Sequence, residues 1–327
     1  LTEQQIGILG TGAYLPEAVL TNEDLEKMVE TTAQWIVERS GVQERRIAAP
    51  EEDTVSMAVL AARQALADAR LEPEQLSYIV LGTNTPAHFF PAGAIRVQEE
   101  LGIGGQAAAF DLQAGCCGFN YALYVGERLV APEGKYALVI GSDACSRFTD
   151  WTDRTTCLLF GDGAGAVVIG PSSQGRILQS FIASKLNENL YCETAFDKEV
   201  SPFLPPQTHS RRYFLKMDGP EIFKFAVNAV KESIPRIMEM AGMVREEIDY
   251  LIIHQGNYRI LEAGAKFARM PMEKVYVNIH RYGNTSAASV PIALHEAVQE
   301  GKIKAGDKVL LISFGAGATW GATLLEW

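Results

Sequence analysis

Three residues carry most of the chemistry the sequence suggests, and each also has a plainer use. Cys116 stands in Gln113-Ala114-Gly115-Cys116-Cys117-Gly118-Phe119, with small residues before it and a helical pattern after it through Val130. That spacing predicts a thiol at a helix N-terminus, where backbone N–H groups and the helix dipole favour the thiolate and lower its pKa. The alternative is a buried core cysteine at a tight strand-to-helix turn. His254 follows the apolar run Tyr250-Leu251-Ile252-Ile253 and opens His254-Gln255-Gly256-Asn257. The C-terminal end of a strand is where α/β proteins hold ligands, but a satisfied core or capping histidine fits the same spacing. Asn284 lies in Tyr282-Gly283-Asn284-Thr285-Ser286, which is also good turn and cap chemistry.

Two glycine runs, Phe160–Gly165 and Phe314–Gly317, look like phosphate cradles. Neither ends in Gly-Lys-Ser/Thr, and neither opens a strand-first dinucleotide unit. Close backbone approach is the simpler use for them, and the second run could aim N–H groups at an oxyanion. Trp35, Arg39, Arg154, Arg211, Arg212, Lys224 and Arg259 could meet an anionic ligand, although most Lys and Arg are solvated surface. With 40 Asp+Glu against 29 Lys+Arg, the net charge is −11, so a basic mouth must be a local exception. The same balance argues against a non-specific nucleic-acid binder.

Elements must bring these residues together from distant positions. Short apolar runs at residues 78–81, 137–140, 250–253 and 309–312 each follow a helical pattern, which predicts α/β layers around buried sheets. The chain also repeats itself. Tyr78 maps to Tyr250 and Leu138-Val139-Ile140 to Leu310-Leu311-Ile312 at an offset of 172, Ala122-Leu123 to Ala293-Leu294 at 171, and the two glycine runs to each other at 154. Ordered matches near one offset imply two halves of one topology. Turn-rich Pro171-Ser172-Ser173-Gln174-Gly175 divides them, giving halves 1–174 and 175–327. Residues 187–210, with breaker-rich Ser201–Pro206, read as a long loop.

The 327 residues are 47% hydrophobic and 21% charged, as in an ordinary globular chain, and no apolar run approaches a membrane span. Leu1-Thr2-Glu3-Gln4-Gln5 shows no signal-peptide pattern. Five cysteines without a CxxC suggest a reducing cytoplasm and no zinc site.

Together these motifs resemble the β-ketoacyl-acyl-carrier-protein synthase III family of the thiolase superfamily. The likeness covers essentially the whole chain: Gly10–Pro16, Trp35–Val42, Asp111–Phe119, Thr152-Asp153-Arg154 with Phe160–Gly165, His254–Asn257, Tyr282–Ser289 and Phe314–Gly321, in order. The resemblance implies a thiolase-like five-layer α-β-α-β-α sandwich of two duplicated halves, normally a homodimer. It implies an acyltransferase that primes on acyl-CoA through acyl-Cys116 and condenses it with malonyl-ACP to start fatty-acid synthesis, with no metal or redox cofactor. Cys116, His254 and Asn284 are the implied catalytic residues, and the N–H groups of Cys116 and Ala316 the implied oxyanion hole. Thr31, Trp35, Arg39, Arg154, Gly219, Phe223, Gly256, Asn257 and Arg259 match CoA contacts. Phe90, Cys145 and Phe160 match acyl-pocket walls, with Phe90 reaching across the dimer, and Lys224 and Arg259 match the docking mouth for the acyl carrier protein.

This chain departs from the family near its channels. Thr32-Ala33-Gln34 replaces Ser-Asp-Glu, Pro220 replaces a polar residue, Cys145 a leucine and Cys117 a small residue, and 183–190 lacks the Ala-Asp-Gly segment. These changes leave acyl specificity open and keep a specialised-pathway condensing enzyme as the alternative. A Cys-His-Asn hydrolase is permitted by the trio alone, but the duplication and paired glycine runs argue against it, and an intact trio argues against a non-catalytic scaffold.

Overall fold

The computed structural model describes residues 5–193 and 214–327, so Arg211, Arg212 and most of the 187–210 segment lie outside the described residues. Strand Leu190–Tyr191, within that segment, pairs antiparallel with Lys216–Met217.

Two sheets form the frame. In the first, the strand order is Ile6–Tyr14, Asp162–Pro171, Tyr136–Ala144, Leu76–Gly82, Ala108–Leu112. In the second it is Arg176–Asn187, Gly317–Glu326, Lys308–Gly315, Tyr250–Ile253. Val275 adds a parallel bridge beside Leu251, in the place that Ala108–Leu112 holds in the first sheet. Read from the first-entered strand, the two sheets have the same order and the same mix of parallel and antiparallel pairs.

Period-two alternation distributes the apolar runs over two buried faces. Ile79, Leu81, Leu138 and Ile140 face outward onto helices Thr54–Ala69 and Gly93–Glu100. Leu251, Ile253, Leu310 and Ile312 face outward onto helices Gly219–Ala241 and Tyr258–Ala268. Between the sheets, Val80, Val139, Ile252 and Leu311 share one core with Phe119, Leu123, Val290 and Leu294. Those last residues belong to helices Gly118–Val130 and Ser289–Gln299, each of which touches strands of both sheets. The result is the expected five-layer α-β-α-β-α sandwich. Glycines in the strand Asp162–Pro171 serve the layers rather than a phosphate: a Cβ on Gly165 would lie 2.7 Å from the Ile292 nitrogen of the central helix.

Both central helices begin at the same end of the sandwich, where the strands that precede them finish. That places Cys116 and residues 284–288 side by side although 170 positions separate Cys116 from Ser286.

Candidate active site

A cavity of about 930 Å³ opens at this end of the molecule. Cys116, His254 and Asn284 all line it, with Phe160, Phe314 and Gly315.

Cys116 immediately precedes Cys117, the N-cap of helix Gly118–Val130, as the sequence predicts. Its neighbour turns the other way: Cys117 is fully buried with its sulfur 3.0 Å from the Ser313 hydroxyl, so of the adjacent thiols only Cys116 lines the cavity. The turn is packed backbone against backbone on the 315–316 segment. A Cβ on Gly315 would sit 2.3 Å from the Cys116 nitrogen. The Thr319 hydroxyl closes the seam, reaching the Ala114 and Ala316 carbonyls at 2.6 and 3.1 Å. The expected lowering of the thiol pKa is not met. Burial, with Cys116 only 7% exposed, pushes it up to about 12, and the Ser286 hydroxyl, which donates to the sulfur at 3.5 Å, pulls it back only in part.

His254 continues strand Tyr250–Ile253, and its N–H donates to Ile312 O at 2.8 Å. Gln255 anchors the turn behind it. Its amide donates to Ile253 O and Tyr276 O and accepts from the N–H groups of Asn278 and Ile279, while its own N–H donates to the Ser289 hydroxyl. The imidazole stacks edge-on against Phe314, centroids 5.1 Å apart. Burial pulls its pKa down to about 3, and Nδ1 has no hydrogen-bond partner. The ring is therefore neutral at working pH. The tautomer protonated on Nε2 suits it best, since an unpaired acceptor costs less than an orphaned buried N–H.

Asn284 is clamped to the opposite wall: its N–H donates to Leu159 O and its carbonyl accepts from Gly161 N–H. Gly283 precedes it at φ +64°, where a Cβ would lie 2.6 Å from Leu159 O. The Asn284 side-chain oxygen accepts from Ser286 N–H at 2.9 Å, which leaves its NH₂ as the group free to donate. The turn chemistry and the cavity position are thus both real.

The outer cavity is lined by Trp35, Arg39, Arg154, Gly219, Phe223, Gly256, Asn257 and Arg259. Arg39 and Arg154 both lie against the Trp35 ring, 5.7 and 4.9 Å from its centroid. Asn257 caps helix Tyr258–Ala268 through Arg259 N–H and donates to Arg39 O, so it joins two cation-bearing walls. Arg39, Arg154, Arg259 and Lys216 share the lining with Asp153, Glu188 and Asp218, a cationic excess against the chain's −11. Sequence reasoning missed Lys216, a single lysine in a stretch without periodicity. It also missed Phe314 as the partner of the imidazole. Pro220 sits in the first turn of helix Gly219–Ala241, where a missing N–H costs nothing.

Thr31, expected on this wall, and four residues expected elsewhere in the site are not among those lining the cavity. Thr31 lies before the N-cap Thr32 of helix Ala33–Ser40, with its hydroxyl buried and unpartnered. Lys224 is turned outward and pairs with Glu221 at 2.6 Å, because it falls on the solvent face of its helix. Phe90 is 85% exposed. Cys145 is buried beside Ser286, near enough to Cys116 and Asp143 for their charges to act on it. Ala316 flanks the lining residue Gly315. Among the described residues, no cluster of His, Cys, Asp and Glu could hold a metal ion, and no helix is long and apolar enough to cross a membrane.

A buried thiol, a neutral imidazole and a donor amide lining one cavity, held in a duplicated five-layer sandwich, define a thiolase-like condensing acyltransferase. Family models for 3-oxoacyl-[acyl-carrier-protein] synthase III and its C-terminal part match residues 110–186 and 238–327. A beta-ketoacyl-[acyl-carrier-protein] synthase III from Geobacillus kaustophilus (strain HTA426) is 45% identical over 322 residues, covering 98% of both chains. The crystal structure of 3-oxoacyl-[acyl-carrier-protein] synthase III from Aquifex aeolicus VF5 matches with TM-score 0.90 and 44% identity, covering 98% of this chain and 100% of that one. The priming β-ketosynthase from the R1128 polyketide biosynthetic pathway matches with TM-score 0.91 and 32% identity, over 99% and 96%. The chain belongs to the 3-oxoacyl-[acyl-carrier-protein] synthase III family.

Proposed function

We propose that the protein condenses an acyl-CoA primer with malonyl-ACP through an acyl-Cys116 intermediate, giving a 3-oxoacyl-ACP that starts fatty-acid synthesis. The observation that carries this reading is the convergence of Cys116, His254 and Asn284, from three distant segments, on one cavity with a Trp35–Arg39–Arg154 cluster further out. Cys116 sulfur attacks the thioester carbonyl, with the Cys116 and Ala316 N–H groups holding the oxyanion. The C–S bond to CoA breaks, and the thiol proton leaves with the CoA sulfur. Malonyl-ACP then loses CO₂, and the electron pair of the broken C–C bond becomes an enolate. His254 and Asn284 donate hydrogen bonds to the enolate oxygen. A neutral imidazole is suited to donating, and it is too weak a base to hold a proton itself. The enolate carbon attacks acyl-Cys116 and expels the thiolate.

Trp35, Arg39, Arg154 and Arg259 serve the CoA nucleotide, and Gly219, Phe223, Gly256 and Asn257 the pantetheine. Phe160 and Cys145 bound the acyl chain, with Phe90 from a second protomer. Lys224 and Arg259 face the acidic carrier protein. The proposal includes a cytoplasmic homodimer, the two duplicated halves 1–174 and 175–327, and no metal or redox cofactor. The matching strand order of the two sheets supports the duplication. Thr31 stays within the proposed CoA region only as a neighbour of the Trp35 helix.

A second reading is priming for a specialised pathway. It is favoured by Cys145 beside the thiol and by the likeness to a polyketide priming enzyme. Intact-protein mass spectrometry with a panel of acyl-CoAs tests both. One acyl group should add to the wild type and none to Cys116→Ala, and the best-loading acyl group selects the reading. Absence of any adduct would overturn acyl-CoA priming.

A further inference from the structure

We propose that Ser286 is a positioning residue for the nucleophile, oriented by Asn84 and Asp143 in one chain of hydrogen bonds. The inference rests on Cys116 being the acyl acceptor.

The direction of each bond follows from its donors. Asp143 is fully buried at the end of strand Tyr136–Ala144. One of its carboxylate oxygens accepts from the Thr83 and Thr85 hydroxyls and from the N–H groups of Asn84 and Thr85, at 2.7–3.2 Å. The other accepts from Asn84 Nδ2 and Ala287 N–H, both at 3.0 Å. Asn84 Nδ2 also meets Gly115 O at 3.0 Å and the Ser286 oxygen at 3.2 Å. All three neighbours of that nitrogen accept, so the amide has one orientation, and its two hydrogens are shared among them, the Ser286 oxygen at the longest distance being one arm of a three-centre bond. With a lone pair of Ser286 Oγ taken up by Asn84, its proton is directed to Cys116 Sγ at 3.5 Å.

Ser286 acts on a second group as well. Its backbone N–H holds the Asn284 side-chain oxygen, so one residue sets both the thiol rotamer and the amide that donates to the enolate. It does so from φ +53°, a left-handed conformation that the neighbouring Ala287–Asp143 bond helps to hold. The same hydrogen bond favours the thiolate against burial. The other ionisable groups near the thiol are Asp143, Cys117 and Cys145, with His254 lining the same cavity.

The test compares wild type, Ser286→Ala, Asn84→Ala and the double variant. Ser286→Ala is expected to fold, because the two Asn84 hydrogens keep the Asp143 and Gly115 acceptors. Iodoacetamide alkylation at Cys116 is followed by peptide mass, which separates it from the exposed Cys192, between pH 7 and pH 10, beside single-turnover acylation and the Kd for acyl-CoA. The expected result is a loss of about tenfold in both rates for Ser286→Ala, with Kd unchanged. Asn84→Ala should lose at least as much rate, since it also frees Gly115 O and Asp143, and the double variant should be no slower than Asn84→Ala, because Ser286 acts through the bond that Asn84 orients. Wild-type alkylation rates in Ser286→Ala, or losses that multiply in the double variant, would overturn the proposal. If acyl-CoA does not protect Cys116 of the wild type, once reaction at the exposed Cys192 is subtracted with a Cys116→Ala control, the nucleophile assignment fails first. Should Ser286→Ala not fold, Asn84→Ala alone decides, and an unchanged rate sinks the chain.

Discussion

At the scale of single residues, the proposed mechanism separates acyl acceptance from condensation. Cys116 and the adjoining 315–316 backbone form one unit, while His254 and Asn284 come from other segments and offer only donors. His254→Ala and Asn284→Ala should therefore still take up an acyl group at near wild-type rates. Their condensation rates with malonyl-ACP should fall about 10²- to 10³-fold, as when an oxyanion donor is removed. Single-turnover acylation beside product formation checks this. Cys145 makes a second residue-scale prediction, because it is buried beside the nucleophile with no bulk beyond one sulfur. Cys145→Leu should shift primer choice toward acetyl-CoA, by about tenfold in the ratio of kcat/KM values against a branched or longer acyl-CoA, the size of one to two methylenes in a pocket.

Elements decide how these residues meet. The apolar periodicities at 121–130 and 292–299 locate the central helices, but the helices begin earlier, at Gly118 and Ser289. Their first turns, Gly118-Phe119-Asn120 and Ser289-Val290-Pro291, each hold one core residue among a glycine, polar residues or a proline, too few for a period to be read. Those turns are the ones that matter, since Cys116 and Ser286 stand just ahead of them. Asn257 shows the same economy, capping helix Tyr258–Ala268 while its Nδ2 supports Arg39 O. Asn257→Ala should cost about 1 kcal/mol of stability, the usual value of an N-cap. It should also raise KM for acyl-CoA with little change in kcat, because the wall behind Arg39 loses its tie. Chemical denaturation and steady-state kinetics read the two effects separately.

Across the whole molecule, burial sets the charge state of the site and couples it to pH. His254 is buried and neutral, its pKa pulled down to about 3, whereas an unfolded histidine titrates near 6.5. Between those values the unfolded chain binds a proton that the native one refuses, so stability falls as pH falls. His280 and His295 act in the same direction and Asp162 in the opposite one. Comparing wild type with His254→Ala at each pH cancels them. The variant should lose up to about 2 kcal/mol less than wild type between pH 7 and pH 5 in denaturant titrations. By itself, the order of motifs determined a great deal: the duplicated α/β layers, the family and the cysteine, histidine and asparagine that meet, because apolar period and motif order are properties of the chain alone. Only the tertiary structure decided what surrounds them. The thiol that a helix N-terminus should acidify is instead raised by burial, and Thr31 and Lys224 lie off the cavity that Lys216 reaches. The Asp143–Asn84–Ser286 chain was not legible either, since it joins residues from three segments. Desolvation and long-range hydrogen bonds depend on which elements pack together, and no local spacing records that.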